Sequence, residues 1–208
     1  MGRQIDKALR ADQVADAALS LYLELPRDEV TFEAIADRAG LKFWQVYRFH
    51  GNLRTVFRCA VSRLVQQIEA QLAAAPAEAP SVSEAVRRYT AFAASVLQQE
   101  ACAQFAYLLV RDRCVEPLLE EAYEGRIARR LRDGLERIVR TAGLRHDLII
   151  LLGGTASRDF VKSLEAEFLL PKLLPGFVAP DAVAADAAIR RISDRIVAAS
   201  YVLGAEAA

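Results

Sequence analysis

Apolar residues recur along the chain with a spacing of three and four almost from one end to the other. Val14, Ala17, Ala18, Leu21, Tyr22 and Leu25 form the first such stripe, the signature of an amphipathic helix, and Pro26 stops it. Thr31 stands where an N-cap belongs and opens a helix over Phe32–Ala39, which Gly40 ends. A second short helix follows over Lys42–Phe49. Asn52 then caps a longer one through Ala74, with Val56, Phe57, Ala60, Leu64 and Ile68 facing inward. The stretch Ala73-Ala74-Ala75-Pro76-Ala77-Glu78-Ala79-Pro80 reads as a linker, and Ser81 or Ser83 caps what comes next. Helical periodicity continues over Ser83–Gln99, Cys102–Arg113, Pro117–Ala142, His146–Leu170 and Asp181–Gly204. No segment alternates with a period of two between hairpin signals, so strands are not expected. The pattern predicts an all-α protein with one domain over 1–75 and a second over 76–208.

Composition adds a sizeable core and no membrane span. Hydrophobic residues make up 53% of the chain, far above what disorder tolerates, yet no apolar run reaches the ~18–20 residues needed to cross a bilayer. The Met1–Asp6 start carries no apolar segment behind Arg3, so no secretory signal is expected. Cys59, Cys102 and Cys114 are far apart with no C-x-x-C, as for free thiols in a reducing cytoplasm. Net charge is zero, but its distribution is uneven. Arg38, Lys42, Arg48, Arg54, Arg58 and Arg63 occur with no Asp or Glu between positions 38 and 68. A local basic patch on a neutral protein suits an anionic partner touched by one face. A second cationic run, six Arg against two acids over Arg126–Arg140, either extends a basic face or is a solvated helix surface.

The order of residue types from Phe32 is specific. A tight corner between two helices needs a small residue where they touch and a Gly where the backbone turns. Ala36 and Gly40 supply these, while Ile35, Leu41 and Val46 fill the shared core of a helix-turn-helix, with Phe49 also on the second helix. Through "TFEAIADRAGL", "VYRF" and the long helix after Asn52, residues from about Ala8 to Ile68 resemble the TetR family of bacterial transcriptional regulators. The resemblance implies an N-terminal three-helix DNA-binding domain and a C-terminal helical domain for ligand binding and dimerisation. It places the short helix in a major groove. Lys42, Phe43, Trp44, Gln45 and Arg48 would then face base edges or groove walls, and Thr31 and Tyr47 would touch phosphates. Three positions depart from the family pattern: Lys42 replaces a capping Ser or Thr, His50 replaces an aromatic, and Leu53 replaces a phosphate-binding Lys. Arg54 is the candidate replacement for that Lys, and His50 is expected as a satisfied core histidine.

In the second half, Ile149, Leu152, Ala156, Phe160 and Leu164 line one helical stripe, with Gly153 and Gly154 permitting close approach, and Ile189, Ile192 and Ile196 line the last helix. These are the candidate dimer surface, the alternative being ordinary intrachain core. The family resemblance implies a four-helix bundle between two subunits and an apolar ligand pocket, with Tyr89, Phe92, Val96, Phe105, Leu108 and Tyr123 as candidate lining. Arg111, Arg113 and Arg126 either meet an acidic ligand or face solvent. His50 and His146 have no Cys or acid at metal-ligand spacing, and no H-E-x-x-H, G-x-S-x-G or P-loop occurs. No metal, cofactor or enzymatic activity is expected. The resulting expectation is a ligand-responsive, homodimeric regulator of the repressor type, bound to double-stranded operator DNA and released by a small apolar effector. The alternative is a dimeric ligand-binding or scaffold protein whose reader helix has lapsed.

Overall fold

A computed structural model describes residues 2–76, 79–144, 149–152, 155–174 and 180–203. The chain folds as helices α1 (Gly2–Glu24), α2 (Phe32–Ala39), α3 (Phe43–His50), α4 (Leu53–Ala73), α5 (Val82–Leu97), α6 (Glu100–Asp112), α7 (Leu118–Ala122), α8 (Arg129–Leu144), α9 (Ala156–Leu164) and α10 (Ala182–Ala198). Two short strands, β1 (Ile149–Leu152) and β2 (Ser200–Leu203), pair antiparallel with Ile149 opposite Leu203. Wider π-type turns over Tyr123–Ala128 and Glu165–Leu169 continue the helices next to them.

The helical architecture is as the apolar periodicity predicts, and the caps are where their residue types ask for them. Thr31 Oγ1 accepts from the Ala34 N–H at 3.2 Å, Asn52 Oδ1 from Thr55 at 2.8 Å, Ser81 Oγ from Glu84 at 3.2 Å and Asp181 Oδ1 from Ala184 at 2.7 Å. Each satisfies one of the N–H groups that a helix start leaves without a partner. Two expectations change. The continuous helix over His146–Leu170 is replaced by β1 and α9, and the last helix ends at Ala198 before β2. A run of four apolar residues, two of them β-branched, carries no helix signal of its own and pairs as a strand when a partner run is available. Ile149 and Leu152 therefore do not share a helical stripe with Phe160. The expected helix over Pro117–Ala142 runs as α7, a π turn and α8 without a break, and Gly125, a poor helix former, lies inside the π turn. Residues 145–148, with His146, and the Gly153-Gly154 pair lie outside the described residues, as do Ala77 and Glu78 of the linker.

The chain divides into two compact units, one of residues 1–67 with 107–122 and one of 68–106 with 123–208. This division differs from a single divide at residue 75 by placing the 107–122 segment with the first unit. The reason is chemical as well as topological. Arg111 donates to the Tyr22 and Leu25 carbonyls at 2.7 and 3.1 Å, where α1 ends, and so ties the 107–122 segment into the first unit. The first unit is built on Val14, Ala18, Leu21 and Tyr22 of α1, Ile35 of α2, Val46 of α3 and Val56, Phe57, Ala60 and Leu64 of α4, all buried. Tyr22 meets Phe57 edge to face at 4.8 Å and donates to the Leu53 carbonyl at 3.3 Å. The second unit packs α5 against α10 and α8. There the Tyr89 hydroxyl donates to the Leu131 carbonyl at 2.9 Å over Gly134, whose missing side chain makes the room.

Candidate nucleic-acid interface

The corner between α2 and α3 fixes how α3 is presented. Gly40 takes φ 65°, the left-handed conformation that only Gly adopts at no steric cost, and the Leu41 N–H reaches back to the Ala36 carbonyl at 2.9 Å. Ala36 and Ile35 are buried at the contact, and Val46 is the α3 residue driven into the core. Among the described side chains of α3, Val46 is the buried one and Gln45 and His50 are intermediate; the side chain of Phe49 lies outside the described residues. Phe43 is 43% exposed, Trp44 55% and Tyr47 52%, while Lys42 and Arg48 are exposed beside them.

These aromatics are not loosely displayed. Phe43 and Tyr47 stack at 5.9 Å, one turn apart on α3, and both meet Phe32 edge to face, at 6.0 and 5.5 Å. Such pairs add about 0.5–1.5 kcal/mol beyond area burial, so the cluster holds two rings half-exposed in fixed orientation. Phe32 is a residue that sequence reasoning missed. Its signal was an aromatic at the first position of α2, where nothing in the helix-turn-helix pattern requires one.

Gln45 makes a structural bond at the start of α3. Its Oε1 accepts from the Lys42 backbone N–H at 2.9 Å, closing the first turn of α3. A Lys side chain has only donors and cannot cap, so Gln45 supplies from inside the helix one half of a capping box. Thr31 caps α2 through its hydroxyl oxygen, which leaves the hydroxyl proton free to donate.

The basic run separates into two sets. Arg38 pairs with Glu24 at 2.7 Å, Arg63 with Asp12 at 2.9 Å and also with Asp16, and Arg54 with Glu116 at 3.1 Å. Among the described residues, Lys42, Arg48 and Arg58 have no acidic partner. Arg54, the expected stand-in for the missing Lys at position 53, is thus engaged with protein, although its side chain stays 65% exposed. Glu116 itself is 1% exposed and also accepts from Arg27 at 2.7 Å. Burial alone would raise its carboxyl, but the bonds from Arg27 and Arg54 outweigh burial and hold it below the usual range.

His50 is not the satisfied core residue expected. Its Nε2 is buried without a partner, its Nδ1 lies 3.9 Å from Cys59 Sγ, and burial lowers its pKa. Cys102 is buried, its thiol pushed up to about 12 by burial, whereas Cys114 is exposed, so burial argues against oxidant sensing only at Cys102. No three His, Cys, Asp or Glu side chains gather as a metal site among the described residues.

Solved structures with this arrangement are transcriptional regulators. A protein assigned to the TetR family from Mesorhizobium loti MAFF303099 superposes with a TM-score of 0.71 at 17% identity, over 93% of this chain and 97% of that one. A transcriptional regulator from Rhodococcus sp. Rha1 gives 0.66 at 17% identity, over 93% and 99%. A TetR regulator from Agrobacterium tumefaciens gives 0.62 at 17% identity, over 92% and 94%. The chain has the TetR fold. No family model and no curated protein matches its sequence.

Within the TetR fold, the remaining candidate residues fall as follows. Of the six expected pocket residues, five are buried. Tyr89, Val96, Phe105, Leu108 and Tyr123 are buried, and Tyr89 and Phe105 are packed against Phe160 at 5.9 Å and Tyr123 at 6.2 Å. Phe92 is half-buried beside Tyr89, and Leu108 belongs to the first unit. Of the expected dimer stripe, Ala156, Phe160, Leu164, Ile192 and Ile196 are each 5% exposed or less within one subunit, and Ile189 is intermediate. A side chain already buried in its own chain has little area left for a second copy. Arg111 is bound to Asp112 as well as to α1 carbonyls, and Arg126 to Glu69. No helix among the described residues is long and apolar enough to cross a membrane.

Proposed function

We propose that this protein is a homodimeric, ligand-responsive transcriptional regulator of the repressor type, whose α3 enters the major groove of operator DNA. The observation that carries the reading is α3 itself. A helix packed through Val46 turns Lys42, Phe43, Trp44, Tyr47 and Arg48 outward, with Lys42 and Arg48 uncommitted to any acid among the described residues. Arg48 suits the paired acceptors of guanine and Trp44 the methyl group of thymine. Tyr47 and Arg58 suit phosphates, which position the protein without reading sequence.

Two α3 helices one DNA turn apart, about 34–36 Å, require a two-fold protein. With the apolar stripe buried, the dimer face falls to the outer sides of α9 and α10. A shallow groove of about 280 Å³ there is lined by Ala156, Asp159, Ser163, Arg195 and Ala199 over Phe160, Ile192 and Ile196. Effector binding then acts by favouring a spacing of the two readers that no longer matches successive grooves.

Selection of bound duplexes from a random pool at two salt concentrations tests the reading. An enriched palindrome with a steep salt dependence supports it, and Arg48→Ala should relax preference at one base pair per half-site. Leu53 in place of a Lys, together with the Arg54–Glu116 pair, favours a second reading in which the dimer binds ligand but no longer selects DNA. Retention without enrichment at either salt concentration would establish that reading instead.

A further inference from the structure

The second unit carries a concave cationic groove of about 890 Å³, open to solvent and separate from α3 in sequence. Arg126, Arg129, Arg130, Arg137 and Arg140 line it, opposed by two acids, Glu69 and Asp133. The arginines recur at three- and four-residue intervals, so they stand on one face, while Ile127, Leu131, Leu135, Ile138 and Val139 occupy the buried one. Two glycines, Gly125 and Gly134, leave the groove floor without side chains.

The charges in this groove are arranged unequally. Glu69, at the end of α4, accepts from both Arg126 and Arg130, the latter at 3.0 Å, and those bonds hold its carboxyl below the usual range against the opposing effect of burial. That pairing fixes two guanidinium groups as a frame. Arg129 reaches Asp133 only at 3.6 Å on an open surface, and such a pair adds little. Arg137 and Arg140 have no acidic partner among the described residues, and both are exposed. Three guanidinium groups are therefore available along a face that runs about 20 Å from Arg126 to Arg140 at the helical rise per residue.

We propose that this groove binds a small linear polyphosphate or an organic ester carrying two or more phosphates, with Arg129, Arg137 and Arg140 as its direct ligands. Guanidinium forks match phosphate oxygens in pairs. Cations spread along the groove fit charges spread along a chain better than the compact charge of a di- or tricarboxylate. The volume lies within the range of small-molecule sites. Glu69 and Asp133 interrupt the positive surface and disfavour a continuous duplex backbone. The proposal stands independently of whether α3 reads DNA.

Titration calorimetry on the full chain with inorganic tripolyphosphate and with ADP tests it, with citrate and a random duplex as comparators. Tripolyphosphate and ADP should bind at one site per chain, and the double variant Arg137→Gln/Arg140→Gln should lose at least tenfold in affinity while keeping its melting temperature. Arg190→Gln, a surface change on α10, should leave binding unchanged. Glu69→Gln releases Arg126 and Arg130 from their internal acid and should tighten tripolyphosphate binding several-fold, a gain that misfolding cannot mimic. Citrate binding as tightly as tripolyphosphate, undiminished binding by the double variant, or absence of heat with both phosphates would each overturn the proposal. So would an outcome in which the double variant weakens duplex binding alone.

Discussion

Removing the charge of Glu116 tests whether the first unit is held by a buried ion cluster. Glu116→Gln keeps the shape and one acceptor oxygen but leaves Arg27, which is one-quarter exposed and stacked over Phe57 at 4.5 Å, beside a neutral amide. Breaking a fully buried ion pair from one side costs about 3–5 kcal/mol. Here Arg54 is mostly solvated and its share is small, so about 1–3 kcal/mol is expected, chiefly from Arg27. The dependence on pH has a definite sign. Because the folded carboxyl is held below its unfolded value of about 4.3, its contribution is present at neutral pH and is lost as pH falls through the folded pKa. Urea unfolding of wild type and Glu116→Gln from pH 7 to pH 3 should show the two curves converging at the acid end. The same variant releases Arg54, so DNA affinity should gain salt dependence by about one ion. If Glu116→Gln unfolds within ~0.5 kcal/mol of wild type at pH 7 and the two curves run parallel down to pH 3, the ion cluster does not hold this unit and the reasoning fails.

Other positions give sharper single outcomes. Trp44→Ala should leave unfolding free energy within ~0.5 kcal/mol, as for an exposed side chain, while weakening binding to a selected duplex in a mobility-shift titration. Gln45→Ala removes a side-chain bond at the start of α3 and should lower stability by about 0.5–1 kcal/mol in urea. In Gly134→Ala the new methyl would sit 2.0 Å from Tyr89 Oη, and overpacking should cost about 1–3 kcal/mol, less in a Tyr89→Phe background. Glu165 is raised above its unfolded pKa, burial being the main cause, although Tyr123 donates to it. Glu165→Gln should therefore stabilise the protein at pH 7 and make no difference below about pH 4.

How much of this was legible in the sequence depended on the range of the interactions involved. The caps at Thr31, Asn52 and Ser81 and the turn at Gly40 were legible because each is decided within a few residues. The strand pair was not, because Ile149–Leu152 acquires its conformation from a partner some fifty residues later in the chain. The apolar stripe on α9 and α10 was visible, but periodicity states only that a face is covered. Whether α5 or a second subunit covers it is a tertiary matter, and Ser193 lying 3.1 Å from Thr90 of α5 shows intrachain cover. The backbone bond of Gln45 was not legible because its side chain can reach either a base or the backbone three residues earlier, and the sequence is the same for both.

The basic run from Arg38 to Arg63 shows the same limit in electrostatic form. That window contains no acid, so counting charges along it suggests six cations available to DNA. The acids that neutralise three of them come from outside the window, Asp12, Asp16 and Glu24 on α1 and Glu116 after α6. What remains, Lys42, Arg48 and Arg58, lies on α3 or its flanks. Pairing therefore narrows a broad basic patch to the reading helix and the two segments that border it. Phosphate neutralisation scales with the cations that are free to act, so a subunit built this way should bind DNA through few ionic contacts. If α3 enters DNA as proposed, its specificity then comes from Trp44, Arg48 and the Phe43–Tyr47 stack rather than from bulk attraction.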